Sequence, residues 1–213
     1  MSGKRVIDIA RGELGYTESP AGSNRTKYGA AYGLDGQPWC VSFLWWCFRE
    51  AGEAAAFMGG GKTASCGMLF RWYKEMGMTV SVKDVQPGDM VILNFHGTQD
   101  TEHCGIVVEV GALGSTRLTT IEGNTSPGME GSQDNGGCVA LKYRYAHQIV
   151  SVCRPRYTEE KEHDWVNHWA AKSIHKAIKK GVLEGYPDGS FGPDQSVTRA
   201  ELCVILDRLG LLE

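Results

Sequence analysis

Cys40 stands at the start of an apolar stretch and is the first candidate for nucleophilic chemistry. A turn-forming segment, residues 35–38, precedes it, and apolar residues continue at helical spacing until Gly52. We therefore predict that Cys40 lies in the first turn of a largely buried helix. Free N–H groups and the helix dipole stabilise a thiolate there, so the thiol pKa should fall below about 8.5. The alternative is a small buried apolar residue, which is the usual role of a free cysteine.

His103 is the candidate base for this thiol. A cysteine nucleophile needs a group that takes its proton and a third group that orients the base. We predict His103 where a polar loop enters a strand, so a rigid sheet would hold its ring. His96 lies in the same loop without a strand to anchor it, and the remaining histidines follow in a turn or near the C-terminus. The alternative for His103 is a solvated loop residue.

Glu122 and Asn124 are the candidates for the third role. Both stand at the end of the strand that we expect beside the His103 strand. A carboxylate or an amide there can accept the Nδ1–H of the imidazole and fix its tautomer. The alternatives are a solvated charge for Glu122 and a turn-forming residue for Asn124, since the segment from 124 to 127 is turn-like.

The elements that would position these residues change character along the chain. Helical periodicity indicates helices near residues 6–16, 40–51 and 65–76, and residues 17–37 between the first two form a loop. We expect that loop either to wrap one rim of the Cys40 site or simply to connect two helices. Strand patterns follow at residues 90–95, 103–110, 117–122, 138–145 and 149–153. Helices followed by an antiparallel meander predict the α+β class.

The last fifty or so residues have the pattern of a separate unit. A charged linker at residues 156–163 separates a first domain, residues 1–155, from a second, residues 164–213. The second domain is predicted to hold one helix at 169–181, a compact turn loop and a second helix. Thr198 and Glu201 form a capping-box pattern at the start of that second helix.

Composition excludes several classes of protein. The net charge is −3, with 42% hydrophobic and 22% charged residues, which is typical of a globular protein and not of a nucleic-acid binder. We find no apolar run long enough for a membrane span and no signal-peptide core, so we expect synthesis in the cytosol. Seven cysteines without a Cys-x-x-Cys pair argue against a disulfide framework or a structural zinc site. We predict no metal and no cofactor.

Residues 1 to about 155 resemble a CHAP domain, the cysteine- and histidine-dependent amidohydrolase or peptidase module of bacterial cell-wall hydrolases. The matching segments are residues 38–43, 86–91, 103–107 and 122–124. The resemblance implies a papain-like fold in which N-terminal helices pack on an antiparallel sheet. It also implies that Cys40 attacks an amide of peptidoglycan, that His103 is the base, and that Glu122 or Asn124 orients it. Some family members bind calcium through aspartates before the cysteine, but this loop offers only Asp35.

The tail resembles an S-layer homology repeat at residues 169, 181–191, 193–194 and 197–201. Such repeats usually bind secondary polysaccharides of Gram-positive walls, and Trp169, Asp188 and Arg199 are the candidate contacts. Repeats of this kind usually come in threes, so a single copy should bind weakly unless chains associate as a homo-oligomer. The alternative is a docking or oligomerisation module that binds no sugar.

Together these features predict a peptidoglycan hydrolase of the endolysin type, from a phage or prophage and released through a holin pore. Gln37 is a candidate donor to the oxyanion, beside the Cys40 N–H. The bond cleaved stays open between an N-acetylmuramoyl-L-alanine amidase and an endopeptidase. Two alternatives remain: an amidase or transferase acting on small peptide conjugates, and a wall-binding protein with an inactive papain-like domain.

Overall fold

The computed structural model describes residues 3–98, 100–111, 117–129, 136–158, 163–186 and 189–212. The chain divides into two compact units, Met1–Glu159 and Glu160–Glu213. No helix among the described residues combines the length and the apolar character that crossing a bilayer requires.

The described residues of the first unit form four α-helices. They are α1 (Gly3–Gly12), α2 (Lys27–Tyr32), α3 (Cys40–Glu50) and α4 (Cys66–Glu75). Local capping explains two of the starts. Thr26 accepts a hydrogen bond from the Gly29 N–H at 2.9 Å and begins α2, and Ser65 accepts one from the Met68 N–H at 3.3 Å and begins α4.

Six antiparallel strands follow the helices and form one sheet in the order β1-β6-β2-β3-β4-β5. They are β1 (Thr79–Val80), β2 (Met90–Leu93), β3 (His103–Val110), β4 (Arg117–Thr125), β5 (Cys138–Tyr145) and β6 (Ile149–Cys153). His103 lies opposite Leu93, and Ile106 lies opposite Ile121, so β3 stands at the centre of the sheet. The predicted α+β class, with helices before an antiparallel sheet, is confirmed.

The sheet carries apolar side chains on both faces. On one face Cys104, Ile106 and Ile121 join the fully buried residues of α1, α3 and α4 in the main core. On the other face Val91 and Val107 belong to a second, smaller cluster. Because side chains alternate along a strand, β3 contributes side chains to the clusters on both faces of the sheet.

The structure differs from the sequence prediction in several elements, of which three lie near the candidate site or lead to it. Helix α1 ends at Gly12 and not at Tyr16, since glycine is a poor helix residue and a turn follows it. The predicted loop at 17–37 contains α2, whose six residues are too few to show a periodicity. Strand β4 continues past Glu122 to Thr125 across an irregular register, where Asn124 adopts a φ of 54°.

The described residues of the second unit form two helices, α5 (Ala171–Lys179) and α6 (Arg199–Arg208). The capping box is present: the Thr198 hydroxyl accepts from the Glu201 N–H at 3.2 Å, and the Glu201 carboxylate accepts from the Thr198 N–H at 2.8 Å. Asp164 accepts from the N–H groups of Phe191 and Gly192 at 2.9 and 2.7 Å, which ties the turn loop to the start of the unit.

Candidate active site

Cys40 is the first residue of α3, and its side chain is 7% exposed. Helix α3 packs against β3 and β4, and Gly123 of β4 permits that approach. A Cβ atom at Gly123 would lie 2.6 Å from the Phe43 Cβ and 2.8 Å from the Trp39 ring. The sequence therefore brings the amino end of a buried helix, with its unpaired N–H groups, against the sheet that carries the histidine.

His103 and Glu122 form a fully buried pair on β3 and β4. The His103 Nε2 atom lies 3.0 Å from Glu122 Oε2, and both side chains have no exposed surface. Arg144 of β5 donates two hydrogen bonds to the same carboxylate, from Nε to Oε1 at 2.7 Å and from Nη2 to Oε2 at 2.6 Å. The Thr120 hydroxyl donates to Oε1 at 2.6 Å. With these three partners the carboxylate is held in one orientation, which in turn fixes the imidazole.

The protonation of this pair follows from its surroundings. Burial favours the neutral form of both groups, but the hydrogen bonds and charges of their partners have the larger effect and favour the charged forms. For Glu122, hydrogen bonds and charges from Arg144 and His103 lower the pKa to about 2. For His103, burial would lower the pKa, yet interactions with Cys40 and Glu122 raise it to about 9. The imidazole is therefore cationic at neutral pH and Glu122 is a carboxylate.

Two further thiols surround Cys40. The Cys66 Sγ atom at the start of α4 lies 3.7 Å from the Cys40 Sγ atom, and Cys104 of β3 completes the group. Hydrogen bonds from Cys104 and Cys66, together with His103, hold the pKa of Cys40 well below its ordinary value although burial opposes this. Burial and the Cys40 charge raise the pKa of Cys104, and the Cys40 hydrogen bond with burial raises that of Cys66. Cys40 is thus the thiolate of the group.

One expectation about the histidine needs correction. The nitrogen that contacts the acid is Nε2 and not Nδ1, at 3.0 Å from Glu122 Oε2. Nδ1 is buried and has no hydrogen-bond partner among the residues that the structure describes. Of the two candidate orienting residues, Glu122 holds the ring. Asn124 is buried at the left-handed bend of β4, and within the described part of the chain its Oδ1 atom has no hydrogen-bond partner.

The structure gives each of the other candidate residues its own surroundings. Gln37 is exposed in the turn that leads to α3. His96 lies in the loop before β3, where its Nδ1 atom is 2.5 Å from Glu102 Oε1. In the second unit Trp169 is 90% exposed and Arg199, the first residue of α6, is exposed. Asp188 lies outside the described residues.

Sequence reasoning missed Arg144, Thr120, Cys66 and Cys104 as members of the site. Period-two alternation offered a signal for Arg144, since β5 alternates Lys142 and Arg144 with apolar or aromatic residues and both cations are buried. A buried arginine requires a buried acid. No signal of spacing joins Cys66 to Cys40, because the contact depends on how α4 returns to α3.

Chemically, the arrangement provides a thiolate beside an imidazolium. The thiolate is a nucleophile at neutral pH, and the imidazolium can donate a proton to a leaving group. Glu122, anchored by Arg144, maintains the charge and direction of the ring. Such a group can attack a carbonyl carbon and expel an amine.

Comparison with known protein families agrees with this geometry. The sequence model of the CHAP domain matches residues 32–124, and that of the S-layer homology domain matches residues 163–203. The chain therefore contains a CHAP domain, which holds Cys40, His103 and Glu122, followed by an S-layer homology domain. The predicted family resemblance is confirmed in both parts, and the first part is an amidase- or peptidase-type hydrolase domain.

Curated relatives match short segments only. Cell surface glycoprotein 1 of Acetivibrio thermocellus is 51% identical over 39 residues, 18% of this chain and 2% of that protein. The cellulosome-anchoring protein of the same organism is 43% identical over 51 residues, 22% of this chain and 11% of that protein. S-layer protein EA1 of Bacillus anthracis is 43% identical over 42 residues, 20% of this chain and 5% of that protein. The chain spans at most about a tenth of these relatives.

Among solved structures, two of Ly7917 are similar. The first aligns with a TM-score of 0.43 at 18% identity, and the second, described as holding the hydrolyzing product of MDP, with a TM-score of 0.45 at 19% identity. Each alignment covers 73% of this chain and 63% of the other. At these TM-scores the alignments carry no argument about fold or function.

Proposed function

We propose that the first unit hydrolyses an amide bond of peptidoglycan, with Cys40 as nucleophile, His103 as acid and base, and Glu122 as the positioning group. The observation that carries this is the buried His103–Glu122 pair, 3.0 Å apart on the two strands against which α3, the helix that begins with Cys40, packs. The CHAP domain supports a hydrolase of peptidoglycan in general terms.

The reaction proceeds in two halves. The Cys40 thiolate attacks the amide carbonyl carbon, and a C–S bond forms. As the C–N bond breaks, the His103 imidazolium gives its proton to the departing amine. His103, now neutral, takes a proton from water, whose oxygen attacks the thioester carbon. The carboxylic acid leaves and Cys40 returns as the thiolate. No outside reductant or oxidant is needed.

The oxyanion formed in each half needs hydrogen-bond donors near the thiolate. The Cys40 backbone N–H stands at the start of α3, where a helix has no internal acceptor for it. We propose Gln37 as the second donor, because it is exposed in the turn directly before α3. Gln37→Ala should then lower kcat more than it raises KM.

The second unit would direct the enzyme to the cell wall. An S-layer homology domain suggests binding to cell-wall polymers, and the matched proteins of A. thermocellus and B. anthracis carry surface or S-layer names. A cavity of about 520 Å³ in this unit has Tyr186, Phe191, Glu201 and Arg208 in its lining. A cavity lined by both rings and charged groups is a better candidate saccharide site than the surface at Trp169 or Arg199. Neither of these two residues is among those that line the cavity.

Association of chains through this unit is a further part of the proposal. Several apolar side chains of α6 and the residues after it are exposed, namely Leu202, Val204, Leu209, Leu211 and Leu212. Burying them between copies would bring several weak polymer sites together and raise the avidity. Light scattering of the purified chain tests this: a monomer at all concentrations contradicts it.

The test of the hydrolase is a turbidity assay on Gram-positive cell walls. We expect Cys40→Ala to abolish clearing, and Cys47→Ala, which removes another buried thiol of the same helix, to retain it. Clearing by Cys40→Ala would overturn the mechanism. If soluble peptides are cleaved and walls are not bound, the enzyme acts on small conjugates instead.

The cleaved bond is identified by mass spectrometry of digested walls. A new N-terminal alanine indicates an N-acetylmuramoyl-L-alanine amidase, and a freed crossbridge residue indicates an endopeptidase. We favour neither, since the same group of residues serves both reactions. An origin as a phage or prophage lysin released through a holin pore stays a prediction.

A further inference from the structure

Three thiols from three separate elements meet at the candidate active site. Cys40 begins α3, Cys66 begins α4, and Cys104 is the second residue of β3. Their Sγ atoms all lie within 4.8 Å of one another, and no two of them are joined in a disulfide. Acyl transfer by a cysteine needs one thiol and a base, so the mechanism does not require the other two.

The spacing of the sulfur atoms suits a soft cation. Zinc binds thiolate sulfur at about 2.3 Å, and tetrahedral angles then separate two sulfur atoms by roughly 3.8 Å. The Cys40–Cys66 separation of 3.7 Å already has this value. The remaining separations exceed it by roughly 1 Å at most, since all are within 4.8 Å. Rotation of a single side chain can close such a difference.

The polar neighbours of the cluster also point to a ligand. His103 interacts with Cys40, and its buried Nδ1 atom has no hydrogen-bond partner among the described residues. This nitrogen adds a ligand-type atom next to the cluster. Cys40 and Cys66 each keep 7% of their surface exposed, which leaves a way for a cation to enter from solvent. Three protein ligands with an open fourth position for water is a known zinc arrangement.

We propose that Cys40, Cys66 and Cys104 together bind a thiophilic divalent cation such as Zn²⁺, and that the bound cation inhibits the enzyme. The Cys66 and Cys104 thiols lose their protons to solvent, and these two thiolates and the Cys40 thiolate form three sulfur–metal bonds. Water completes the coordination without any redox step. Inhibition follows because the metal occupies the lone pair of the Cys40 nucleophile. The binding site stands on geometry alone, whereas the inhibition rests on the proposed function.

Direct metal binding tests the site on the full chain, stripped by a chelator and kept in a non-thiol reductant. We expect one equivalent of Zn²⁺ by competition with a chromophoric chelator, and a thiolate-to-cobalt charge-transfer band after Co²⁺ addition. Cys66→Ser and Cys104→Ser should each weaken binding at least tenfold. Cys47→Ala, a buried thiol of α3 outside the cluster, should bind as the wild type does. Equal binding by all four proteins overturns the site.

A second measurement needs no substitution and so avoids any folding defect. Zinc should slow alkylation of Cys40, Cys66 and Cys104 at least tenfold, as mapped on peptides, and should leave the exposed Cys203 unchanged. Equal protection of all cysteines, or of none, contradicts the proposal.

Activity separates this inference from the proposed function. With wall substrate, equimolar Zn²⁺ should suppress at least nine-tenths of the clearing rate, and a chelator should restore it. Clearing that continues with the site loaded overturns the inhibition. If the protein binds zinc as described but never cleaves walls, the proposed function fails and the metal site stands. If it cleaves walls but binds no zinc, the metal site fails alone.

Discussion

The two units differ most in how far their charged and apolar side chains are buried. In the first unit His103, Glu122 and Arg144 are at most 1% exposed and bond one another. In the described part of the second unit Ile174 alone is a buried hydrophobic residue, while the candidate contact Trp169 is 90% exposed. Buried charged groups need bonded partners inside the protein, whereas a polymer binds at the surface. The contrast therefore separates a unit built for chemistry from one built for contact.

Paired arginines in the two units give the sharpest test of this contrast. Arg144 bonds Glu122 in the core, whereas Arg208, about a third exposed, lies 3.4 Å from Glu184 at the surface. We expect Arg144→Ala to cost about 3–5 kcal/mol of unfolding free energy, because it removes one of the two cationic partners of a buried carboxylate. Arg208→Ala should cost less than about 1 kcal/mol. Urea denaturation measures the unfolding free energy of both variants. Similar losses of stability in the two would contradict the contrast between a buried and an exposed arginine.

Removing the charge of Glu122 tests the chemistry of the first unit. With Glu122→Gln we expect kcat to fall on the order of 10²–10⁴-fold, because the ring loses its anchor. The wild-type rate should decline above about pH 9, as His103 loses the proton that the leaving amine needs. Since the carboxylate raises that pKa, the decline should move to lower pH in the variant. Glu109→Gln, at an exposed position of β3, is the control, and an unmoved alkaline limb in Glu122→Gln would contradict the account.

Gly105 tests how closely the strands of the site approach. A Cβ atom at Gly105 would lie 2.6 Å from the Glu122 Cγ atom. We expect Gly105→Ala to displace that side chain, to cost about 1–3 kcal/mol by overpacking, and to lower kcat. Gly12→Ala, where nothing lies within 4 Å, should do neither. Thermal unfolding and steady-state rates measure both variants, and a fully active Gly105→Ala enzyme would show that the orientation of Glu122 matters little.

The capping box of α6 gives the smallest expected effect. Thr198→Ala removes the acceptor of the Glu201 N–H and should cost about 1 kcal/mol, confined to the second unit. Thr198→Ser retains the hydroxyl and should retain most of the stability. Hydrolysis of a soluble peptide should be unchanged in both. A loss of hydrolysis in Thr198→Ala would mean that the units are coupled more closely than their separate cores suggest.

Much of the fold was predictable because its signals are local. The alternation and turn residues gave β3, β5 and β6 their observed bounds, and the Thr198–Glu201 pattern gave the start of α6. Cys40 was placed at the start of its helix for the same reason. Helix α4 buries Leu69 and Tyr73 and leaves Met68 and Met76 exposed, since tertiary contacts decide which face a short helix turns inward.

The site was predictable in its residue types and not in its contacts. His103 and Glu122 were named from their places at strand ends, but the bonded nitrogen of the ring depends on register and rotamer, which spacing does not specify. Arg144 lies on a different strand from the carboxylate that it binds. Cys66 and Cys104, the two thiols next to Cys40, lie on different elements from Cys40. Long-range packing determines these contacts, so they cannot be predicted from composition and periodicity.

The pH dependence of Cys40 alkylation tests the central claim most directly. Cys40 should react at nearly the same rate at pH 6 and pH 8 when followed on its peptide, because the surrounding thiols and His103 already keep it ionised. His103→Ala should lower the rate at pH 6. An ordinary thiol with a pKa near 8.5 would instead speed up by nearly two orders of magnitude over that interval. That rise in the wild-type protein would contradict a preformed thiolate at Cys40.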